Sequence, residues 1–183
     1  FSLIELLIAI AIFSVILIGI YPVFSQITTF NQENYIKTTL IDNLRAGMDR
    51  MQREIKEATK IIDPDDINVD SNFPDNTEKN AIVFRHPDPQ NPESIETVRY
   101  RITTGSYTIS KFPGGKQIVR DIWNGTSWEG GNPISEPTIS NIIFKKEGQL
   151  IKICIISSVI LRKGKPAQDY IYLGNVAVRN ALP

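Results

Sequence analysis

From Leu6 to Phe24 the chain carries no charged side chain, and its only polar side-chain groups there are the Ser14 hydroxyl and the Tyr21 phenol. A run of about 20 apolar residues, rising roughly 1.5 Å each as an α-helix, matches the roughly 30 Å hydrocarbon core of a bilayer. Such a segment needs lipid or other apolar helices around it. A secretory signal would be shorter, with basic residues before it and a small-residue cleavage site after it. None of these accompanies the run. Hydrophobicity alone is compatible with a simple membrane anchor carrying a folded domain.

Glu5 argues for more than anchoring. A carboxylate at the head of an apolar helix costs several kcal/mol to bury unpaired, and an anchor gains nothing from it. One role is local, because Glu5 lies near the positive end of the helix dipole and can hydrogen-bond there. The other is between subunits. A neighbouring copy, shifted along the axis, would bring its Phe1 amino group to this Glu5. The pair would then select one register among otherwise interchangeable apolar helices. Ser14, Gly19 and Pro22 weaken the same segment. Proline removes a backbone donor and crowds the preceding turn, and glycine lowers helix stability by about 1 kcal/mol relative to alanine. The expectation is a bend or break between about Ser14 and Tyr21, with a kink in an intact helix as the alternative.

Past Pro22 the pattern becomes a stripe. Ile36, Leu40, Leu44, Met48, Met51, Ile55, Ala58 and Ile62 recur at spacings of three and four, one face of an α-helix. Charged residues, Glu54 among them, fill the other side as a solvated face. There Asp49, Arg53 and Glu57 can pair in series for a few tenths of a kcal/mol each. Asp63-Pro64 is expected to stop the helix, giving a helical region over 1–62. At about 90 Å such a helix is too long for one small domain. Residues 1–25 are therefore assigned to membrane or filament core, and 26–62 to packing on a sheet. Residues 63–80 read as an acidic surface loop. Asp63, Asp65, Asp66 and Asp70 lack the glycine and terminal glutamate of an EF-hand, so no metal site is assigned.

Residues 81–183 read as an antiparallel β domain. AIVFRH, ETVRYRITT, SYTISKF, KQIVRDIW, TISNIIFKK, QLIKICIISSVILRK and AQDYIYLGNVAVRN are rich in β-branched and aromatic residues, with turn signals between them. Short connections suggest a meander. Residues 123–137 are expected to form a loop, where Asn124-Gly125-Thr126 is both a glycosylation sequon and a hairpin turn signal. Trp123 and Trp128 in that stretch are the place to look for a ligand, or they pack on the sheet. The fold class is α+β, a long N-terminal helix packed on a C-terminal antiparallel sheet.

Several function classes find no support. Twenty basic and twenty acidic residues cancel, so no nucleic-acid partner is expected. Cys154 is the only cysteine and His86 the only histidine, which excludes an internal disulfide, a haem attachment pair and a histidine-rich metal site. Cys154 in KICII reads as a buried structural thiol. No phosphate-binding, dinucleotide, zinc-protease or nucleophile-elbow motif is present. The chain reads as no enzyme, with no cofactor.

Phe1, Ser2, Leu3, Ile4, Glu5, Leu6 and Leu7, followed by an Ile/Ala-rich helix, resemble the N-terminus of mature type IV pilins and pseudopilins. Ser2 stands where threonine is more usual. The resemblance implies cleavage by a prepilin peptidase just before Phe1 and methylation of the new terminus. It also implies residence in the inner membrane, followed by ATPase-driven assembly with other copies and other pilins into an extracellular filament or a periplasmic pseudopilus. In that family the helix commonly opens near the residue matching Pro22 once assembled. RAGMDRMQREIKEATKI (Arg45 to Ile61) and LGNVAVRN (Leu173 to Asn180) are similar to J-type minor pseudopilins and larger minor pilins. That likeness implies a minor, tip-located or priming subunit as the rival to a bulk filament subunit.

Overall fold

The computed structural model describes residues 2–68, 70–88, 91, 93–105, 107–109, 111–162 and 164–179. The chain divides into two compact units, residues 1–39 and 40–183. One helix, α1 (Leu3–Lys56), contributes to both.

In the first unit, α1 is apolar all round from Leu6 to Phe24. Every described residue from Ser2 to Phe24 is exposed, and the helix is long and apolar enough to cross a membrane. Hydroxyls along it bond backward: Ser14 Oγ donates to the Ile10 carbonyl at 2.8 Å, and Thr28 and Thr29 to the Phe24 and Ser25 carbonyls at 2.9 Å. Such back-bonding satisfies the hydroxyl without lipid or water. The helix runs unbroken through Gly19 and Pro22.

In the second unit, the striped part of α1 buries its apolar face. Leu40, Leu44, Met48, Met51 and Ile55 are all at most 1% exposed, and burying each contributes roughly 2 kcal/mol. α1 ends at Lys56, six residues before the expected Ile62. The Thr59 N–H donates to the Arg85 carbonyl at 2.8 Å, and β1 (Lys60–Ile62) pairs with β3 (Ala81–Pro87). The β-branched pair Ile61-Ile62 thus continues the buried surface as strand, and Asp63-Pro64 stops that strand instead of the helix.

The strands that follow are β2 (Glu78–Lys79), β4 (Ile95–Ile102), β5 (Tyr107–Ile109), β6 (Phe112–Gly115), β7 (Ile118–Trp123), β8 (Trp128–Pro133), β9 (Asn141–Glu147), β10 (Leu150–Val159) and β11 (Gln168–Ala177). They form two main antiparallel sheets, ordered β1-β3-β4-β7-β8 and β11-β10-β9-β2, plus a β5-β6 hairpin. This differs from a single meander, because the β5-β6 hairpin is set aside between β4 and β7 and the early β2 pairs with the late β9. The expected loop over 123–137 holds β8, and the SYTISKF segment holds the β5 strand and the start of β6.

The helix seats on both sheets. Gly47 faces the Ile118 side chain of β7, and Gly174 of β11 faces Met48. A Cβ on Gly174 would collide with Met48 Sδ, so the missing side chain is what lets the helix approach β11. Along β10, Ile151, Ile153, Ile155, Ser157 and Val159 are buried and alternate with more exposed residues, the period of a strand covered on one face.

Candidate assembly site

The head of α1 is built by its own first turn. Ser2 caps the helix, its carbonyl accepting from the Glu5 N–H at 3.1 Å. The Glu5 carboxylate accepts from the Ser2 N–H at 2.8 Å, and Ser2 Oγ accepts from the Glu5 N–H at 3.4 Å. This reciprocal exchange, with serine at the cap and glutamate three residues on, is a capping box. It gives Glu5 the local role open to it at the positive end of the helix dipole. It also explains why serine can stand at position 2, since serine and threonine cap by the same oxygen. An ionised carboxylate has about four acceptor sites, so the cap leaves room for a second donor. Phe1, the source of the proposed partner amine, lies outside the described residues.

Ser14, Gly19 and Pro22 lie on this helix in a fully helical stretch. Pro22 has no N–H for the carbonyl one turn earlier, that of Ile18, so this point of the ladder is intrinsically weak. Asn124 sits elsewhere, in the turn between β7 and β8. Its Oδ1 accepts from the N–H groups of Thr126 and Ser127 at 2.9 and 2.8 Å, while its Nδ2 donates to Ser127 Oγ and Glu129. The side chain that defines the sequon therefore also closes the hairpin. Trp123 and Trp128 pair across that hairpin edge to face, with centroids 5.2 Å apart, and the Arg99 guanidinium lies 4.2 Å over Trp128. Their rings pack on one another and on Arg99.

The acidic stretch carries its own cations. Lys79 Nζ lies 3.0 Å from Asp63 and 2.5 Å from Asp65, and Asp70 is met by Lys60 at 2.9 Å and Arg85 at 3.2 Å. Cys154 is half-buried, and burial pushes its thiol up, away from a reactive thiolate.

One cluster escapes a reading of the sequence. Glu54, expected on a solvated face, lies under the sheet and accepts from Arg120 Nε at 2.9 Å. Arg120 also donates to Glu96 at 3.2 Å and sits 3.3 Å from His86 Nε2. His86 is 1% exposed and Arg120 8%. Burial alone would lower the Arg120 ionisation, but Glu54 and Glu96 outweigh it and hold the guanidinium charged. Instead of the expected Asp49–Arg53–Glu57 series, the helix pairs Arg50 with Glu54 at 3.5 Å. The available signal is Arg120-Asp121 inside KQIVRDIW: adjacent charges in a buried strand point to opposite faces, so each needs a partner. Asp121 finds Arg99 and Arg101 at 2.6 and 2.7 Å. This cluster ties α1 to both β4 and β7, and its guanidinium fills the space between the carboxylates.

Among curated proteins and among solved structures, none matches the chain. Residues 1–21 match the family described as the prokaryotic N-terminal methylation motif, so the exposed apolar helix and its capped Glu5 carry the signature of type IV pilins and pseudopilins.

Proposed function

We propose that this type IV pilin-like subunit is a structural building block of an extracellular filament, held together by the packing of its N-terminal helix. The observation that carries the reading is the complete exposure of residues 2–24 on an apolar helix whose one charged side chain is Glu5. A helix apolar on every side is at rest only in lipid or among other apolar helices. Moving from lipid to neighbours supplies little hydrophobic drive, so packing and register selection must supply it. Glu5 pairing with the Phe1 amine of a neighbour would select that register. The carboxylate stays hydrogen-bonded to the Ser2 N–H until the amine arrives, which reduces its cost in the bilayer. On assembly, the stretch from Ser14 to Tyr21 would open beside Pro22. Before assembly the chain waits in the inner membrane, processed by prepilin peptidase and later lifted by a machine driven by a separate ATPase.

The test compares Glu5→Gln with Glu5→Ala. Glutamine keeps an acceptor for the Ser2 N–H and discards the charge, whereas alanine removes both. Filaments sheared from cells, imaged and analysed by mass spectrometry, should lose both variants about equally, while membrane insertion and the second unit's fold persist. Normal incorporation of Glu5→Gln would sink the charge pair and leave the cap as Glu5's whole role. The same measurement separates a bulk subunit, which dominates filament mass, from a tip-located minor subunit found at trace level. A chain found only in membranes, beside abundant filaments, would return the reading to a simple anchored β domain.

A further inference from the structure

Among the described residues, β11 is an edge strand that lacks the usual protections of an edge. It lies at the end of its sheet and pairs with β10 along its whole length without a bulge. Proline, a bulge, repeated charge or a short length would normally blunt such a strand. β11 has ten residues and one charge, Asp169.

The direction of its backbone groups follows from the bonds at its far end. The Val178 N–H donates to the Gln149 carbonyl, so this even-numbered residue turns toward β10. The Arg179 N–H donates to the Lys56 carbonyl, and the Asn175 carbonyl accepts from Gln52 Nε2 at 3.1 Å, so these odd-numbered residues turn outward to the helix end. By strand alternation, Asp169, Ile171 and Leu173 turn their N–H and C=O groups outward as well. Their side chains are also on the outer face, where Ile171 is 63% and Leu173 72% exposed. Ile156 and Cys154 stand beside these two in register and extend the apolar surface.

This open edge leads into a groove of about 580 Å³ lined by Gln52, Arg53, Lys56, Asn175, Ala177 and Arg179. Arg53, Lys56 and Arg179 are exposed, and among the described residues none of them has a carboxylate partner. The carbonyl end of α1 accounts for a cation at Arg53 or Lys56. It does not account for Arg179 arriving from the strand.

We propose that β11 is a docking edge for an extended segment of a partner protein, acidic at its N-terminal end and apolar at alternate positions after it. An antiparallel strand pairing with Asp169, Ile171 and Leu173 would place its N-terminal end over Arg53, Lys56 and Arg179. Main-chain bonds supply affinity and the alternating apolar residues extend the Ile171–Leu173 surface. A second copy is a poor occupant. The end of β11 that would face the groove offers one acid, Asp169, and Ser158 Oγ already donates to it. The docking edge belongs to the second unit alone and stands whether or not the chain enters a filament.

The experiment uses the full chain in detergent micelles and a fluorescent peptide of two glutamates followed by three valine-threonine repeats. A companion peptide carries two lysines in place of the glutamates. The acidic peptide should bind roughly tenfold more tightly than its companion, a preference that shrinks as salt rises. It should slow hydrogen exchange at the Ile171 and Leu173 amides. Arg53→Glu with Arg179→Glu, both at exposed positions, should reverse the preference, and Leu173→Pro should abolish binding by removing an outward N–H. Because the proline variant can misfold, the charge-reversal pair is the deciding one. Equal binding of the two peptides, no binding of either, or unchanged exchange at β11 overturns the proposal. So does protection of β11 that grows with protein concentration in the absence of peptide, which would assign the edge to a second copy.

Discussion

Leu17 and Leu44 lie on the same helix, yet Leu17 is 50% exposed and Leu44 is 1% exposed. Around Leu17 the apolar side chains point in every direction, and every described residue from Ser2 to Phe24 is exposed. Around Leu44 they form a stripe with charged residues opposite, and two sheets cover the stripe. The first unit keeps its hydrophobicity for surroundings outside the chain. The second uses it to build a core. One helix therefore answers to two different solvents, and mutations along it should separate them.

The largest effect is expected where the second unit hides charge. Replacing Arg120 with alanine leaves Glu54 and Glu96 close together under the sheet, with His86 beside both and the half-exposed Arg50 still paired to Glu54. Breaking a buried pair by removing one partner costs about 4 kcal/mol. Urea unfolding of the second unit should report that loss, with insertion of the first unit unchanged. A loss below about 1 kcal/mol would mean that water reaches this cluster and that it does not tie helix to sheet.

The two leucines come next in size. Leu44→Ala should lower the second unit's unfolding free energy by about 3 kcal/mol, the cost of an unfilled core site. Leu17→Ala removes the same atoms about seven turns earlier and should shift that unfolding by less than about 0.5 kcal/mol. Its effect should appear in filament yield. If the two substitutions destabilised the second unit equally, the division of labour along the helix would be wrong.

This division is legible in the sequence because it is a matter of period. An unbroken apolar run and an i, i+3, i+4 stripe interleaved with charges are told apart by reading the residues in order. The stripe from Leu40 to Ile55 is buried as its spacing requires, and each expected strand segment contains a strand. What local pattern cannot supply is pairing. Ile62 continues the stripe and so extends the expected helix that far; β3 claims it, with Ile61, as strand. β8 is built from WEGGNP, which has little strand propensity, and it exists because β7 is there to pair with it. A register irregularity at Arg120/Asp121 marks the strain of that match, and Gly130 opposite it holds φ at 111°. Glu54 escapes for the same reason: it flanks the stripe, and only Arg120 on a strand far along the chain draws it inward. At the assembly site, the Ser2–Glu5 spacing is visible in the sequence, but which local bonds Glu5 makes is not.

A smaller and pH-dependent difference is expected from Tyr100, whose ring is fully buried. Burial first, and the Glu54 carboxylate second, raise its ionisation above the ordinary value of about 10. The folded chain then keeps a proton that the unfolded chain releases. The contribution is therefore complete below about pH 10 and is lost as pH rises through the raised folded value. Between pH 10 and 11 the second unit should lose stability more steeply than its Tyr100→Phe variant, by up to about 1.4 kcal/mol per pH unit. Parallel slopes for the two proteins would show that this phenol titrates as freely as an exposed one.

The smallest effect belongs to the capping box, and its two arms are unequal. The Glu5 carboxylate receives the Ser2 N–H at 2.8 Å, whereas Ser2 Oγ receives the Glu5 N–H at 3.4 Å. Ser2→Ala deletes only the long arm and should cost the helix end about 0.5 kcal/mol, the low end for a lost cap. Hydrogen exchange at the Glu5 amide should quicken about twofold, with filament yield nearly unchanged. Ser2→Pro deletes both arms, because proline has neither the hydroxyl nor an N–H to give, and it leaves the Glu5 charge in place. If Glu5 serves mainly to cap, Ser2→Pro should assemble as poorly as Glu5→Ala. If it serves mainly to receive a neighbour's amine, Ser2→Pro should assemble and Glu5→Ala should not, provided mass spectrometry shows that both mature chains still begin at Phe1. The short arm, the Ser2 N–H on the Glu5 carboxylate, thus gives the clearest separation between a residue that finishes its own helix and one that waits for another.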